Sequence, residues 1–278
     1  MRLDIDGRNC ELESGRSILD AVKKEGLDSI MLSDRPLAAQ IGGEVFNLRF
    51  TPKKDTQIHL LRYGEDMGRR VYERTLQFLF ILAMRKEFPR ARVCVRYSLG
   101  PGLFITVDGM EEPFNEEAAL KVETEMRRLV RLKLPLERRR ISIKEALSFY
   151  EQDGQADKAK LLKWRRFSYF DVYQIDGYMD YFYGEMAPDT SYADVFRVKY
   201  VHDGAVVLLM PRNDAPDVPS DYVDLPKLHA VFHQSDEWGK LMECATVNDL
   251  NTHIQNGTIR ELVRINEALH DRGYADIA

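Results

Sequence analysis

The sequence predicts an α+β fold, and three features of its pattern predict it. Short strand-like segments and one helix alternate at the N-terminus, a long amphipathic helix follows them, and helices dominate the C-terminal part. Hydrophobic side chains make up 44% of the 278 residues and charged ones 31%, which suits packed cores and argues against disorder. We expect three parts: residues 1–62, 63–222 and 223–278.

The first part has the order ββαβββ. Met1–Ile5 alternates as a strand does, and Asp6-Gly7 predicts a turn into a second short strand. A helix over Ile18–Glu25 follows, and Gly26 ends it. The remaining strands are expected at Leu37–Ile41, Val45–Phe50 and Gln57–Leu61. This order predicts a β-grasp fold, in which one helix packs across a curved sheet.

The second part begins with a long helix over residues 63–90, which has a broad apolar face and which Pro89 ends. An antiparallel sheet should lie beside it, with aromatic strands and turns continuing to about Met210. The other elements expected here are strands Arg92–Tyr97 and Leu103–Val107, helices Asn115–Leu132 and Ser142–Tyr150, and a charged helix through Lys163.

The third part is a helical connector. The proline-rich stretch Arg212–Pro226 predicts an irregular linker before it. Helices are expected at Leu228–Met242, Val247–Asn256 and Thr258–Arg272, with Gly257 as the stop between the last two.

Composition excludes some classes of function. The formal net charge is −5, so no global basic field attracts the chain to nucleic acid, and such binding would need a local patch. Cys10, Cys94 and Cys244 lie far apart and form neither a disulfide framework nor a Cys-x-x-Cys metal motif. The N-terminus has no apolar signal core, and the longest apolar cluster, Phe78–Met84, is shorter than a membrane span. We expect a cytoplasmic protein without membrane contact.

The segment GYMDYFYGEMAP, residues 177–188, resembles a functional segment but lacks reactive groups. It is rich in aromatic side chains but holds no His, Cys or Ser. Such aromatic side chains either fill a sheet core or line a cleft where a base stacks, and the sequence leaves both interpretations open.

Residues 1–62 resemble a TGS domain, the β-grasp module at the N-terminus of threonyl-tRNA synthetase. The resemblance depends on Asp6-Gly7, on the helix around Ser17–Val22 and on Ile41–Val45. Residues 63–210 resemble the editing domain of the same synthetase, through Phe88-Pro89, Gly100–Phe104 and the YMDYFYG segment.

Residues 228–278 are similar to the helical connector of a bacterial uridine kinase-like family, through Asn248–Asn251 and the segment from Ile259 to Ala278. In that family, the TGS and editing-like domains precede a P-loop kinase domain. The resemblance implies an ATP-dependent phosphotransferase whose ATP and Mg²⁺ bind in a kinase domain beyond Ala278. The present chain has no G-x-x-x-x-G-K-[ST] motif, so we expect no cofactor in it. The end at Ala278, inside a helical pattern, leads us to expect that the chain is cut from a longer protein.

The resemblance also places the former editing site. The editing domain carries His-x-x-x-His on its long helix and Cys-x-x-x-His on the later segment. Phe88-Pro89 aligns the two histidines with Arg74 and Phe78, and Gly184 and Pro188 align the Cys and His with Phe182 and Met186. Since Phe has no lone pair and a thioether is a weak zinc ligand, we expect neither catalysis nor a metal. The candidate substrate-binding residues are Arg74, Phe78, Tyr181, Phe182, Tyr183 and Met186.

Two other patterns are weaker. The basic run Arg127–Arg140 and a second cluster over Lys158–Arg166 either meet phosphates or are solvated helix faces near acids. His229-x-x-x-His233 has metal spacing but no third ligand nearby.

Three functions remain open on this basis. The favoured one is a non-catalytic region that binds a nucleotide or RNA and regulates an attached kinase domain. The alternatives are an editing-like ester hydrolase with a rebuilt site, in which Tyr183, Glu185, Asp180 and Arg74 would converge, and a structural module that sets oligomeric state.

Overall fold

The computed structural model describes residues 1–202 and 204–277, which form two compact units. The first comprises Met1–Arg139 and Val172–Asp224, and the second comprises Arg140–Asp171 and the chain from Leu225 onward. Residues 140–171 are thus grouped with the C-terminal helices, and the three-domain division stays a prediction. The α+β class is confirmed. The predicted end of the helical pattern at Ala278 lies outside the described residues.

The N-terminal sheet confirms the order ββαβββ. Its elements are β1 (Arg2–Ile5), β2 (Arg8–Glu11), α1 (Ile18–Lys24), β3 (Ala38–Ile41), β4 (Glu44–Phe46) and β5 (Thr56–Leu61). The spatial order is β2-β1-β5-β3-β4, in which only β1 and β5 pair in parallel. Ser17 starts α1 through a capping box with Asp20. The helix packs Ile18 and Val22 into the same core as Leu3 and Ile58 of the sheet.

The predicted strand Val45–Phe50 is shorter than expected and ends at Phe46. The side chain of Asn47 accepts a hydrogen bond from the backbone N–H of Arg49 at 2.8 Å. This Asx turn bends the chain away from the ladder, and it leaves the Asn47 amide free to donate elsewhere.

The long helix α2 (Asp66–Glu87) is central to the first unit. Three consecutive residues, Phe78, Leu79 and Phe80, are fully buried, so the helix is covered on more than one side. It is followed by β6 (Arg92–Leu99), β7 (Gly102–Asp108) and α3 (Glu116–Leu132). These elements match the expected ones, and Asn115 caps α3 by accepting from the Ala118 N–H at 2.9 Å.

A strand lies where the sequence showed only a basic run. The chain continues through β8 (Glu137–Ser142), α4 (Ile143–Gln152), α5 (Ala156–Leu162), β9 (Tyr169–Ile175) and β10 (Tyr178–Asp180). The strand order of this sheet is β10-β9-β8. The run Arg127–Arg140 is therefore divided between the end of α3 and β8, and only its first part is helical.

The second sheet of the first unit is completed by β11 (Arg197–His202) and β12 (Ala205–Leu209). Its order is β11-β12-β7-β6, antiparallel throughout. All five residues of β12 are buried, as expected for a central strand covered on both faces.

The C-terminal helices are α6 (Pro226–Leu241), α7 (Val247–Asn256) and α8 (Ile259–Ile277). Pro226 lies in the first turn of α6, where its missing N–H costs nothing. Gly257 has φ +75° and ends α7, as predicted. Along the described chain, no helix has both the length and the apolar character needed to cross a membrane.

Candidate ligand-binding site

Helix α2 and the segment that follows β10 meet inside the first unit. Phe78 follows Arg74 by four positions in α2, which places the two residues on one face of the helix. The segment 181–188 lies against this face through the contacts described below. The structure thus brings together the two stretches that the sequence predicted to form one site.

Aromatic rings fill the first half of this contact. The ring of Phe78 lies 5.3 Å from that of Phe182 and 5.9 Å from that of Tyr178, measured between centroids. Phe78 has no exposed surface, and Phe182 is partly buried. Both rings stand at positions where the resemblance would place a metal or substrate ligand. At this point the contact between α2 and the segment is made by apolar aromatic side chains.

Arg74 makes the second half of the contact between α2 and the segment 181–188. Its Nε donates a hydrogen bond to the carbonyl oxygen of Glu185 at 3.0 Å. Its guanidinium lies so close to Gly184 that a Cβ there would stand 2.9 Å from Nη1. Burial lowers the pKa of Arg74 from its ordinary value, but a guanidinium stays charged at neutral pH. The group is a fixed cation and hydrogen-bond donor, not a base.

The Glu185 carboxylate is held by two further side chains. The Tyr173 hydroxyl has two acceptors for its single proton, Glu185 Oε2 at 3.0 Å and the Gly184 carbonyl oxygen at 3.1 Å. The Arg138 guanidinium pairs with Oε1. Burial and the adjacent Glu185 charge raise the pKa of Tyr173 above its usual range. Glu185 is therefore a paired carboxylate and Tyr173 a neutral donor.

Asp180 has a local structural role. It is 2% exposed, and it accepts hydrogen bonds from the Tyr181 N–H at 2.7 Å and from the Tyr178 hydroxyl at 3.2 Å. These bonds fix the turn that follows β10.

Tyr181 and Tyr183 form an edge-to-face pair, with ring centroids 4.5 Å apart. Tyr181 is partly buried, whereas Tyr183 is 77% exposed. An exposed ring supported by a second ring is available to stack on a ligand.

The end of the segment is fastened by side chains that sequence reasoning missed. The Asn47 amide donates to the Met186 carbonyl at 2.8 Å and to the Ala187 carbonyl at 3.3 Å. The Thr75 hydroxyl accepts from the Ala187 N–H at 2.9 Å, and Arg49 donates to the Pro188 carbonyl at 2.9 Å. All four bonds go to backbone groups, which leave no pattern in the sequence.

The predicted site residues thus fall into two groups. Phe78 and Met186 have no exposed surface, so they are core side chains that a ligand does not reach in this conformation. Arg74, Tyr181, Phe182 and Tyr183 retain some surface, and their binding role stays a prediction.

The structure brings together two of the four residues of the rebuilt hydrolytic site. Arg74 and Glu185 are close, but Asp180 is engaged in its own turn and Tyr183 projects into solvent. Within residues 1–202 and 204–277, no three His, Cys, Asp or Glu side chains are arranged to hold a metal ion. His229 and His233 have ring centroids 6.4 Å apart.

The basic run is largely paired with acids. Arg127 pairs with Glu123 at 2.7 Å and Arg128 with Glu125 at 2.6 Å along α3. Such local pairs are typical of solvated faces.

The chain is similar to part of threonine–tRNA ligases. It is 25% identical over 194 residues to the enzyme of Clostridium kluyveri, which is 69% of this chain and 30% of that protein. The enzyme of Carboxydothermus hydrogenoformans is 27% identical over 175 residues, covering 60% of this chain and 26% of the relative. The enzyme of Acetivibrio thermocellus is 28% identical over 160 residues, covering 57% and 24%. No protein-family model matches the chain.

This similarity confirms the expected resemblance in its coarse form. The chain contains a region like that of threonyl-tRNA synthetase, and it matches less than a third of the length of these relatives. This similarity does not show the uridine kinase-like connector or a kinase domain.

Proposed function

We propose that this chain is a non-catalytic, regulatory region that binds a nucleotide or RNA. The observation that supports it best is the contact between Phe78 and Phe182, with centroids 5.3 Å apart. Hydrocarbon occupies positions that resemblance assigns to catalytic ligands, while the surrounding scaffold is kept. Arg74, bound to the Glu185 carbonyl, cannot accept a proton at neutral pH.

The groups available to a ligand are an aromatic pair beside guanidinium groups. Tyr183 is exposed and packs against Tyr181, and the next two residues in sequence contact Arg74 and Arg138. A ring that stacks on a base and a cation that meets a phosphate are the two parts of a single-strand binding surface. The overall charge of −5 makes this binding local and sensitive to salt.

The test is a titration of the whole chain with fluorescein-labelled single-stranded RNA and with ATP and UTP at low salt. Tyr183→Ala should weaken RNA or nucleotide binding roughly 5- to 150-fold, since stacking contributes about 1–3 kcal/mol per base. Tyr274→Ala is the matched control, because Tyr274 is 62% exposed on α8. Absence of saturable binding to every probe, or equal losses in the two variants, would contradict the proposal.

An editing-like hydrolase is the second candidate, favoured by the cluster of Arg74, Glu185, Tyr173 and Arg138. It requires deacylation of a mischarged tRNA above the rate without protein. We expect background rates, and zinc below stoichiometric amounts in the purified protein. Deacylation that Glu185→Gln abolishes would reverse the order of the two candidates.

We further propose that the parent protein is a cytoplasmic, uridine kinase-like, ATP-dependent phosphotransferase whose kinase domain is the partner of this region. The resemblance of residues 228–278 to the family's connector supports this proposal. Sequencing the gene beyond codon 278 tests it: a P-loop motif within about thirty residues is expected. A stop codon directly after Ala278, or an unrelated domain, would overturn it.

A further inference from the structure

A row of polar side chains crosses the outer face of the N-terminal sheet. Asp4 of β1 lies opposite Gln57 of β5, and His59 of β5 lies opposite Gln40 of β3. The alternate residues of these strands, among them Leu3 and Ile58, point into the core. The polar row therefore belongs to a solvent-facing surface over the three central strands.

This surface carries a shallow groove that is widely open to solvent. Asp4, Asp6, Gln40, Gln57 and His59 line a groove of about 470 Å³, a volume in the range of small-molecule sites. The two turns at its rim carry Gly7, Gly42 and Gly43, so no side chain closes it.

One wall of the groove is fixed by a charge network. His59 Nδ1 lies 2.8 Å from Asp6 Oδ1, and His59 Nε2 lies 2.7 Å from Glu65 Oε2. Arg62 Nη1 donates to Asp6 Oδ2 at 3.1 Å. Asp6, which lines the groove, and Glu65, which lies outside the lining, are thus both compensated by cationic or hydrogen-bonding partners.

Asp4 is different. Its Oδ1 is buried and accepts no hydrogen bond from any of the described residues. Its Oδ2 receives one long bond, from the Gln57 amide at 3.5 Å. A buried carboxylate oxygen without a donor is unfavourable, and its charge is not matched by any cation of the described chain within ion-pair distance.

We propose that this groove binds a cation that carries several N–H donors, a guanidinium or a primary ammonium. Asp4 supplies the counter-charge, and Gln57, opposite it on β5, supplies a side-chain amide beside it. The same charges repel phosphate, so this site is distinct from the surface proposed for RNA or nucleotides. The inference does not depend on that proposed function.

The experiment is a ¹H–¹⁵N NMR titration of the whole chain with three probes at millimolar concentration. N-acetyl-argininamide and N-acetyl-lysinamide present the two cations, and N-acetyl-citrullinamide presents a neutral urea of the same shape as the guanidinium. We expect saturable shifts at the Gly42 and Gly43 amides and the Gln57 side chain with one or both cations, and none with the neutral probe.

Two variants locate the binding. Asp4→Asn keeps the shape and should weaken binding of the cation roughly tenfold or more. Glu44→Gln, an exposed acid on β4 outside the groove, should change it little. Gln57→Glu adds a second carboxylate beside Asp4 and should tighten binding, which keeps the test decisive if Asp4→Asn fails to fold. Equal shifts with the urea probe, no saturable shifts, or equal losses in Asp4→Asn and Glu44→Gln would overturn the proposal.

Discussion

At the scale of single residues, Gly184 shows how tightly the candidate site is packed. Its φ is +95°, and a Cβ would lie 2.9–3.2 Å from three atoms of the Arg74 guanidinium. The backbone conformation and the close approach both favour glycine.

Gly184→Ala should therefore lower the free energy of unfolding by more than the roughly 1–2 kcal/mol that a left-handed backbone alone costs. Gly177→Ala is the control for that backbone cost, because Gly177 has φ +80° and open space around its Cβ. Urea unfolding of both variants measures the difference. Equal losses would mean that Arg74 moves aside without cost.

His59 should make stability depend on pH. Hydrogen bonds to Glu65 and Asp6 raise its pKa, against a smaller opposing effect of burial. Because the folded pKa is above the unfolded value of about 6.5, the stabilisation is complete below that pH. It is lost as pH rises through the folded pKa. Asp6 has the opposite effect on the pH dependence of stability. Burial raises its pKa, but hydrogen bonds from His59, Leu60 and Arg62 lower it overall, so its contribution is lost as pH falls through the folded pKa.

The measurement is urea unfolding of the wild type and of His59→Gln between about pH 6 and 9. The advantage of the wild type should shrink as pH rises. An advantage that is constant over this range would show that the imidazolium makes no contribution to stability.

At the scale of elements, the contact between α2 and the segment 186–188 depends on a buried hydroxyl. Thr75 is 1% exposed; its Oγ1 donates to the Val71 carbonyl at 2.8 Å and accepts from the Ala187 N–H at 2.9 Å. Removing the hydroxyl leaves a buried N–H without a partner. This bond joins helix and segment where the apolar packing alone would not fix the register.

Thr75→Val should lower the free energy of unfolding by about 1–3 kcal/mol, as measured by chemical denaturation. Thr75→Ser keeps the hydroxyl and loses only a methyl group, so it should cost about 1 kcal/mol. A larger loss in Thr75→Ser than in Thr75→Val would show that packing, rather than the hydrogen bond, holds the segment.

The elements also show what the sequence could predict. Ser17 and Asp20 mark the start of α1, and Gly257 marks the end of α7, because caps act locally. Strand β8 was missed because Arg138–Arg140 show no polar–apolar alternation and its pairing partner β9 lies about thirty residues later. Long-range pairing is not visible in a local pattern.

The same distinction applies to the candidate site. Gly184 and Pro188 located the segment, and Phe88-Pro89 located the face of α2, because their spacings belong to a resembled motif. The roles of Asn47 and Arg49 were not predictable, since both bind backbone carbonyls more than a hundred residues away. The sequence does not reveal the role of Tyr173 either, since only the structure shows its bond to Glu185.

At the scale of the whole molecule, burial is distributed unevenly. Half of the residues of α2 are buried, whereas α6 has no buried side chain and α8 has only Leu262 among the residues whose burial is described. Helices that bury little apolar surface need less free energy to unfold locally.

Hydrogen exchange followed by mass spectrometry should therefore show different amide exchange rates in α6 and α2. Amides of α6 should exchange at least roughly tenfold faster than amides in the middle of α2, since each 1.4 kcal/mol of opening free energy changes the rate tenfold. The exposed amides of the turn at Gly42-Gly43 are the internal reference for rapid exchange. Equal protection of α6 and α2 would imply that α6 is covered in solution.

The ring contact between Phe78 and Phe182 has a consequence for how this protein changes over evolutionary time. The two side chains share one interior volume, 5.3 Å between centroids, so shrinking either alone leaves a cavity in a close-packed core. Among relatives, these two positions should therefore vary together in size, and replacing the rings one at a time by smaller polar side chains would have to pass through a less stable intermediate. Close packing between the two rings thus favours apolar side chains at both positions.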